Sequence, residues 1–314
     1  MAFSKYLRPV LSLLLMLAVL ACQNSGKETP SEKATEDIGC IPRSDGGKKP
    51  EETRKSINRL PQSLTADDGR EITMLVVYTH AAKQHFDEQH RDINTAIDNA
   101  IKQANEAFSF SSIDLAVRTV YRAEVGYKEA DTFSDDLDQI RDTDAGSEIR
   151  ALQDRNAADM VTVIRNDGDM AGIAFMLQNN GLDYSDSGIE VIRWSCVDDG
   201  LRCLAHELGH LLGIAHDRPN VDFYGWSKLY SFGYCFRAND GFLHGDLLAY
   251  ACADRRETLF SDPLARFKVR PDDAGVPTGV PETNSGGATN PKAADGARTI
   301  RETKMLVANH RRKP

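Results

Sequence analysis

The spacing of apolar residues differs from one part of the chain to the next, and each spacing predicts a type of secondary structure. Residues 72–78 form a continuous apolar run of strand length, which is typical of a buried strand. Between Ile93 and Phe108, apolar residues recur three and four positions apart, as on one face of a long amphipathic helix. A second helical region is predicted over about 135–156, and further strands are predicted at 113–119, 160–164, 172–177 and 189–194. This order of elements predicts an α/β (α+β layered) fold, in which helices pack on a mixed sheet.

The first 21 residues have a different pattern. Two cations precede an apolar run at 10–21, which is too short to cross a bilayer because a spanning helix needs about 20 apolar residues. Residues 1–21 are therefore predicted to be a signal peptide. The run ends in Leu-Ala-Cys at Cys22, which resembles the lipobox of bacterial lipoproteins. We expect export to the outer membrane, periplasm or cell surface, with a lipid on Cys22 as the only membrane attachment; plain secretion is the alternative.

Composition separates a polar segment from one large domain. Residues 22–70 contain hardly any apolar cluster, so they are interpreted as a flexible polar tether or a short pro-segment. Residues 71–314 are predicted to form one domain. A content of 41% hydrophobic and 27% charged residues excludes a membrane bundle and a mostly disordered chain. The net charge of −9, without a basic block, argues against nucleic-acid binding, because such binding depends on neutralising phosphates.

The chain has six cysteines, four of them in the predicted domain. Export would permit disulfides, since these persist in oxidising compartments. Four cysteines allow three pairings, and all three stay open from the sequence. The short spacings favour Cys196 with Cys203 and Cys235 with Cys252.

The strongest chemical signal is the stretch HELGHLLGIAHD at 206–217. His206 and His210 are four residues apart, so on a helix both imidazoles project from one face. Gly213 lies one turn further on, where a glycine ends a helix in the left-handed conformation and lets the chain bring His216 round. Two histidines alone would be interpreted as core residues, but several constrained positions in register favour a metal site. Three protein ligands leave a fourth position open, which predicts one catalytic zinc ion.

Glu207 is the predicted general base. It follows the first histidine and can reach a water on the metal without binding the metal itself. Hydrolysis by a zinc-activated water is the chemistry that this arrangement predicts, with Glu207 taking the proton of the water. Asp217, after the third histidine, is expected to fix the turn through hydrogen bonds to nearby backbone.

The full motif resembles the H-E-x-x-H-x-x-G-x-x-H signature of the metzincin zinc endopeptidases. The resemblance continues through most of 72–314, in the segments LVVYT, ADMV, AGIA, FSDP, GVPTG and VANHR. These segments are similar to the bacterial reprolysin-like branch, and in particular to peptidyl-Asp metalloendopeptidases. The resemblance implies a mixed twisted sheet with long helices, an active-site helix that ends at a glycine, and an irregular C-terminal subdomain with a final helix. It implies a zinc-dependent endopeptidase acting on protein or peptide substrates, and we expect a monomer.

Two positions at the expected Met-turn need separate comment. Leu248 stands where the family has a methionine beneath the zinc site, and an apolar side chain of similar volume should be tolerated at modest cost. Tyr250 lies two residues further, where a tyrosine assists catalysis in some metzincin branches. Tyr250 is therefore a candidate catalytic residue that contacts the zinc or the oxyanion, with core packing as the alternative.

Specificity depends on a strand edge and on nearby cations. A substrate is expected to lie extended and to add its backbone to an exposed edge strand, which the resemblance places at 172–177. A preference for acidic residues near the cut would need a cation in the pocket. Arg255, Arg256 and Arg237 are the candidates, and solvated surface arginines are the alternative.

Three further hypotheses stay open. Cys40 is left over if Cys22 is acylated and the four domain cysteines pair, and it then serves as a cysteine switch that keeps the enzyme latent, as a disulfide partner or as an idle tether thiol. The main alternative function is a catalytically weak metzincin-fold surface lipoprotein that binds a host or envelope protein. A zinc amidase acting on cell-wall peptides would share the metal chemistry and differ in substrate.

Overall fold

A six-stranded mixed sheet forms the centre of the molecule. In the computed structural model its strands, in chain order, are β1 (Ile41–Arg43), β2 (Glu71–Thr79), β3 (Ala116–Val125), β4 (Met160–Arg165), β5 (Gly172–Phe175) and β6 (Ile189–Arg193). Across the sheet they lie in the order β1-β5-β6-β4-β2-β3. β5 runs antiparallel to β6, and the other neighbouring pairs are parallel. The sheet is therefore mixed, as the sequence pattern predicts.

The structure describes residues 41–43, 68–178, 186–197, 202–221, 228–249 and 252–311, and these belong to one compact unit. The predicted signal peptide, with Cys22, lies outside the described residues. Of the helices that the structure describes, none is both long enough and apolar enough to cross a bilayer. Residues 41–43, inside the predicted tether, form the outermost strand beside β5.

Six α-helices occur in the described part of the chain. They are α1 (His80–Glu88), α2 (Ile93–Phe110), α3 (Phe133–Asp142), α4 (Ser147–Arg155), α5 (Cys203–Leu211) and α6 (Gly296–Val307). The side chains of Thr79, Asp92 and Thr132 accept hydrogen bonds from backbone N–H groups at the starts of α1, α2 and α3. Such caps stabilise a helix because its first N–H groups have no partner within the helix.

Both faces of the sheet are covered. Alternate residues of β2 point to opposite faces, so Met74 packs with α1, α2 and α5 while Leu75 packs with α3 and α4. Every residue of β4 is buried, which explains why its sequence is mainly apolar, with Thr162 and Arg165 as its buried polar residues. The result is a three-layer arrangement, with the sheet between two layers of helices.

The C-terminal part is less regular. It contains a small sheet of β7 (Cys235–Arg237), β8 (Leu243–Gly245) and β9 (Arg255–Arg256), and a pair of short strands, β10 (Arg266–Phe267) and β11 (Val276–Pro277). The final helix α6 follows. The favoured disulfides are confirmed, since Cys196 is bonded to Cys203 and Cys235 to Cys252.

The predicted α/β (α+β layered) fold is confirmed, with two differences in the helices. Helix α1 was not predicted, because its buried side consists of only Ala82 and Phe86. The helical region at 135–156 is two helices, separated by a turn at Gly146. A Cβ atom at Gly146 would lie 2.1 Å from the carbonyl oxygen of Ile140, so the close approach of the two backbones requires glycine there.

Candidate metal centre

Helix α5 carries the first half of the motif, and its start is fixed covalently. Arg202 precedes the helix in a left-handed conformation, with φ of 58°, and gives it no side-chain cap. The Cys196–Cys203 disulfide ties the first residue of α5 to the short helix that follows β6. All nine residues of α5 are buried. The disulfide therefore holds a buried, uncapped helix start against the sheet.

The end of α5 brings the third histidine back to the first two. Gly213 has φ of 95°, in the left-handed region that favours glycine. The N–H of Ile214 donates to the carbonyl of Gly209 at 2.9 Å. This hydrogen bond closes the end of the helix and turns the chain back toward it. The predicted helix end at Gly213 is confirmed by this geometry. His216 follows and lies beside the imidazoles of His206 and His210.

Three imidazole nitrogens converge on one point. The Nε2 atoms of His206, His210 and His216 are 3.1 Å apart in each of the three pairs. All three residues are at most 2% exposed. The structure therefore brings the three sequence-predicted ligands together in a buried, nearly equilateral cluster.

Backbone carbonyls orient these rings from outside. The Nδ1 of His206 donates to the carbonyl of Leu247 at 2.6 Å, and the Nδ1 of His210 donates to the carbonyl of Ile214 at 2.7 Å. A hydrogen bond with the backbone of Asn220 orients His216 in the same way. Because a neutral ring with its proton on Nδ1 has only a lone pair on Nε2, the converging nitrogens are acceptors.

This donor set fits a metal ion. Three buried acceptors at 3.1 Å from one another have no proton to share, so a cation is the partner that satisfies all of them. Zinc takes neutral imidazole nitrogens at ~2.0–2.1 Å, and tetrahedral angles at that length separate two nitrogens by about 3.3–3.4 Å. The observed spacing is close to that value. The set Asp217, Cys235 and Cys252 also clusters, but its two sulfurs form a disulfide.

Burial keeps the three histidines uncharged. Burial lowers the pKa of His210 to about 4, against the opposing hydrogen bond with Ile214. Burial, followed by the neighbouring imidazoles, lowers the pKa of His206 well below its usual value. The pKa of His216 is lowered in the same way, first by burial and then by His210. At neutral pH all three are in the form that binds metal.

Glu207 is fully buried next to the sheet. Its side chain lies against β5, where a Cβ atom on Gly172 would be only 2.6 Å from the Oε1 of Glu207. The absence of a side chain at Gly172 therefore leaves the space that the carboxyl of Glu207 occupies. The carboxyl of Glu207, the predicted base, therefore packs directly against β5 at Gly172.

Substituting Gly172 by Ala is therefore expected to reduce turnover. The added methyl must push the Glu207 carboxyl aside, and a misplacement of about 1 Å at the predicted base is expected to cost about 100-fold in rate. The measurement is the turnover number of the metal-loaded protein, with metal content checked in parallel. Ala174→Gly, two residues along the same strand, is the control for a change of side chain there, and a normal kcat for Gly172→Ala would contradict this packing argument.

The turn beneath the site connects several distant segments. Leu248 is fully buried and packs against Gly209 of α5, as expected for the residue in the place of the methionine. Its carbonyl accepts a hydrogen bond from the N–H of Asp217 at 3.2 Å. The carboxylate of Asp217 accepts two hydrogen bonds from the Asn220 side chain, so Asp217 fixes the turn after the third histidine. Tyr250, the other catalytic candidate, lies outside the described residues.

Two buried carboxyl groups near the site were not predicted. Asp246 accepts hydrogen bonds from the N–H groups of Leu248 and Ser261, which holds the turn against the segment that precedes β10. Burial raises its pKa to about 7, although these hydrogen bonds oppose the shift. Glu190 is fully buried in β6. A charged residue type inside a strand of apolar neighbours was the available sequence signal for Glu190.

The three candidate cations differ in their surroundings. Arg255 forms an ion pair with Asp240 at 2.9 Å, and the guanidinium of Arg237 donates to the carbonyl of Gly241 at 2.5 Å. Arg256 is exposed, and its charge contributes to the lowered pKa values of His206 and His216 after the larger effects of burial and the other imidazoles. The charge of Arg256 thus acts on the histidine cluster, as a smaller contribution than burial.

The predicted substrate edge lies beside the cluster and already has a neighbour. After β5, the N–H of Leu177 donates to the carbonyl of His210 at 3.1 Å, which joins this edge to α5. β1 pairs in parallel with β5, with Ile41 opposite Ile173 and Arg43 opposite Phe175. Cys40, which directly precedes β1, lies outside the described residues.

A buried cluster of three histidines, two of them on one helix with an adjoining glutamate, is the arrangement expected of a metal-dependent hydrolase. The family model for metallo-peptidase family M12, of the reprolysin type, matches residues 68–261. The chain belongs to this family, whose members hydrolyse peptide bonds. The resemblance to metzincin-type peptidases, seen in the sequence, is confirmed.

A curated relative and two solved structures are also similar. The peptidyl-Asp metalloendopeptidase of Pseudomonas aeruginosa is 29% identical over 156 residues, which are 46% of this chain. The match spans only about a quarter (25%) of that protein. A structure described as a chaperone–substrate complex is 17% identical with a TM-score of 0.56, covering 77% of this chain and 39% of that one. This second likeness supports the fold alone. Metalloproteinase-II from Bacteroides fragilis is 17% identical with a TM-score of 0.32, covering 52% of this chain and 49% of that one.

Proposed function

We propose that the chain is a zinc-dependent endopeptidase with His206, His210 and His216 as metal ligands and Glu207 as general base. The observation that carries the proposal is the convergence of three buried Nε2 atoms at 3.1 Å, next to a buried glutamate. Family membership supports peptide bonds as the substrate. Three protein ligands suit a catalytic zinc, since they leave a position for water or substrate.

The residues of the chain have separate tasks in this mechanism. A bound zinc ion supplies a Lewis acid for the scissile carbonyl and lowers the pKa of water to ~7. The Glu207 carboxylate accepts the proton of the attacking water and returns it to the leaving nitrogen. The carbonyls of Leu247 and Ile214 hold two of the histidine rings in the tautomer that presents Nε2.

The test combines metal content with cleavage of an unstructured protein. We expect one zinc per chain, loss of cleavage on chelation and recovery when zinc is restored. The assay uses the full chain and a chain that begins at Asp68, because β1 occupies the outer edge of β5 in the full chain. Zinc binding without cleavage by either chain would favour the binding lipoprotein, and cleavage of cell-wall peptides alone would favour the amidase.

We further propose that Arg256 gives the site a preference for acidic residues near the cut. Its support is electrostatic, since its charge acts on two of the proposed ligands. The curated relative is named as a peptidyl-Asp metalloendopeptidase, which supports the same preference. A substrate carboxylate beside the guanidinium would gain a charge-assisted hydrogen bond.

Arg256→Gln is therefore expected to remove the acidic preference while leaving cleavage of neutral peptides unchanged. The loss in kcat/KM on peptides with Asp or Glu near the cut should be about 10-fold, the value of one hydrogen bond to a charged group. Cleavage profiling of a peptide library measures it, with Arg255→Gln as the matched control. A wild-type profile without acidic enrichment would contradict the proposal, and so would an unchanged profile for Arg256→Gln.

We also propose that the protein is exported and anchored by a lipid on Cys22. The two disulfides support an oxidising compartment, because the cytosol keeps thiols reduced. Mass spectrometry of the mature N-terminus is the direct measurement: an acylated cysteine is expected, and an unmodified one would favour secretion.

A further inference from the structure

Glu190 is a carboxyl group buried without an obvious structural reason. It is 0% exposed in β6, where its strand neighbours are Thr162 of β4 and Ala174 of β5. The hydroxyl of Thr162 donates to Oε1 at 2.6 Å, and no donor group among the described residues reaches Oε2. Burying a carboxyl group that lacks a full set of partners is costly, so its presence calls for a function.

Glu190 lies on the face of the sheet against which the proposed base packs. Glu190 and Ile192 are two residues apart on one strand, so they point to the same face of the sheet. Ile192 packs in the cluster that contains Leu208 of α5, and it lies opposite Gly172, against which the Glu207 carboxyl is packed. Glu190 therefore faces the active-site helix from within the sheet.

The surroundings of Glu190 favour its uncharged form. Burial raises its pKa well above the usual value, the Thr162 hydrogen bond opposes this, and the charge of Glu207 raises it further. Because Oε1 accepts from Thr162, the proton of the neutral acid belongs on Oε2. An O–H donor then lies in a dry site, and the charge that acts on Glu190 there is that of Glu207.

We propose that Glu190 is a positioning residue, a neutral buried acid whose Oε2–H donates to the Glu207 carboxylate and holds it against Gly172. The inference rests on the proposed endopeptidase function, in which Glu207 moves the proton. Glu190 touches neither substrate nor metal. Its effect is to keep one carboxylate conformation, which general base catalysis needs for a short contact with water.

Glu190→Gln and Glu190→Met test the proposal. Glutamine keeps a donor and an acceptor, so kcat should stay within about threefold of wild type. Methionine has a similar length but no donor, so kcat should fall about 10- to 100-fold with KM unchanged, the effect of losing one hydrogen bond to a charged group. Zinc content and the thermal unfolding midpoint should stay at wild-type values in both variants. Val191→Ala, on the opposite face of the same strand, is the control for a local packing defect.

A double-substitution cycle separates positioning from folding. In a Glu207→Gln background, Glu190→Met should cause no further loss of kcat, because the group that it positions is already absent. The proposal is overturned if Glu190→Met has a normal kcat. It is equally overturned if both Glu190 variants lose activity together with thermal stability, or if the two losses multiply. An inactive wild type would instead count against the proposed function, so the two failures are distinguishable.

Discussion

Replacing Glu207 by Gln is expected to lower kcat by about 10²- to 10⁴-fold while KM and zinc content stay unchanged. This range is the rate contribution that a general acid or base usually makes. Glutamine has the same shape but no basic oxygen, so it fills the space beside Gly172 without accepting a proton. The three histidines remain, and the metal should therefore bind as before. The measurement is steady-state cleavage of a fluorogenic peptide together with metal analysis of the same sample.

The same substitution should not destabilise the protein. Glu207 is fully buried, and replacing a buried carboxylate by a neutral isostere removes a desolvation cost. The matched control is Glu257→Gln, because Glu257 is a partly buried glutamate whose partner is His244 and not a histidine of the cluster. Its kcat should stay within about twofold of wild type. Equal kcat for wild type and Glu207→Gln would remove Glu207 from the mechanism, whereas a loss of bound zinc would assign it a ligand role instead.

The predictable part of the fold follows from local periodicity. The apolar runs at 72–78 and 160–164 became β2 and β4, since strands covered on both faces have no polar side. The apolar spacing of about 3.6 residues at 93–108 correctly predicts α2, because only one face of this helix is buried. Helix α1 was not predicted because its two buried residues are too few to show a helical spacing of apolar positions. The break at Gly146 depends on contact with Ile140, which is a tertiary feature.

The same distinction between local and long-range features applies to the site. Spacing on one helix and one turn predicts the histidines, because His206, His210 and His216 need only eleven residues of chain to meet. Their orientation depends on remote backbone, since the carbonyl that fixes His206 belongs to Leu247. Asp246 and Glu190 act through partners distant in sequence, so the charged residue inside β6 marks Glu190 as unusual but does not show what it does. Sequence therefore predicts which residues do chemistry better than which residues hold them in place.

Removing one metal ligand should have the largest effect on metal binding. His210→Ala is expected to lower zinc affinity by more than about 100-fold, because even the loss of a group that only orients a ligand costs about 10- to 100-fold. His210 is fully buried between the other two rings, so no surface side chain replaces it. Zinc competition with a chromogenic chelator measures the affinity. Cleavage should fall below detection at zinc concentrations that saturate the wild type.

The lost affinity should also appear in stability. A ligand that binds only the folded state stabilises it by about 2.7 kcal/mol at 100 times its Kd. For a domain of this size such a gain raises Tm by about 5–10 °C, at roughly 2–4 °C for each kcal/mol. Zinc should therefore raise the Tm of the wild type and leave that of His210→Ala almost unchanged.

The control for this shift is His244→Ala. His244 is also buried, but it binds Asp240 and Glu257 on the small C-terminal sheet and is not part of the converging cluster. Its loss should lower Tm with and without zinc by the same amount, because only the fold is weakened. If His210→Ala kept the zinc-dependent rise while His244→Ala lost it, the metal would have to bind elsewhere. A shift absent from His210→Ala and present in His244→Ala would instead assign the metal to the cluster of His206, His210 and His216.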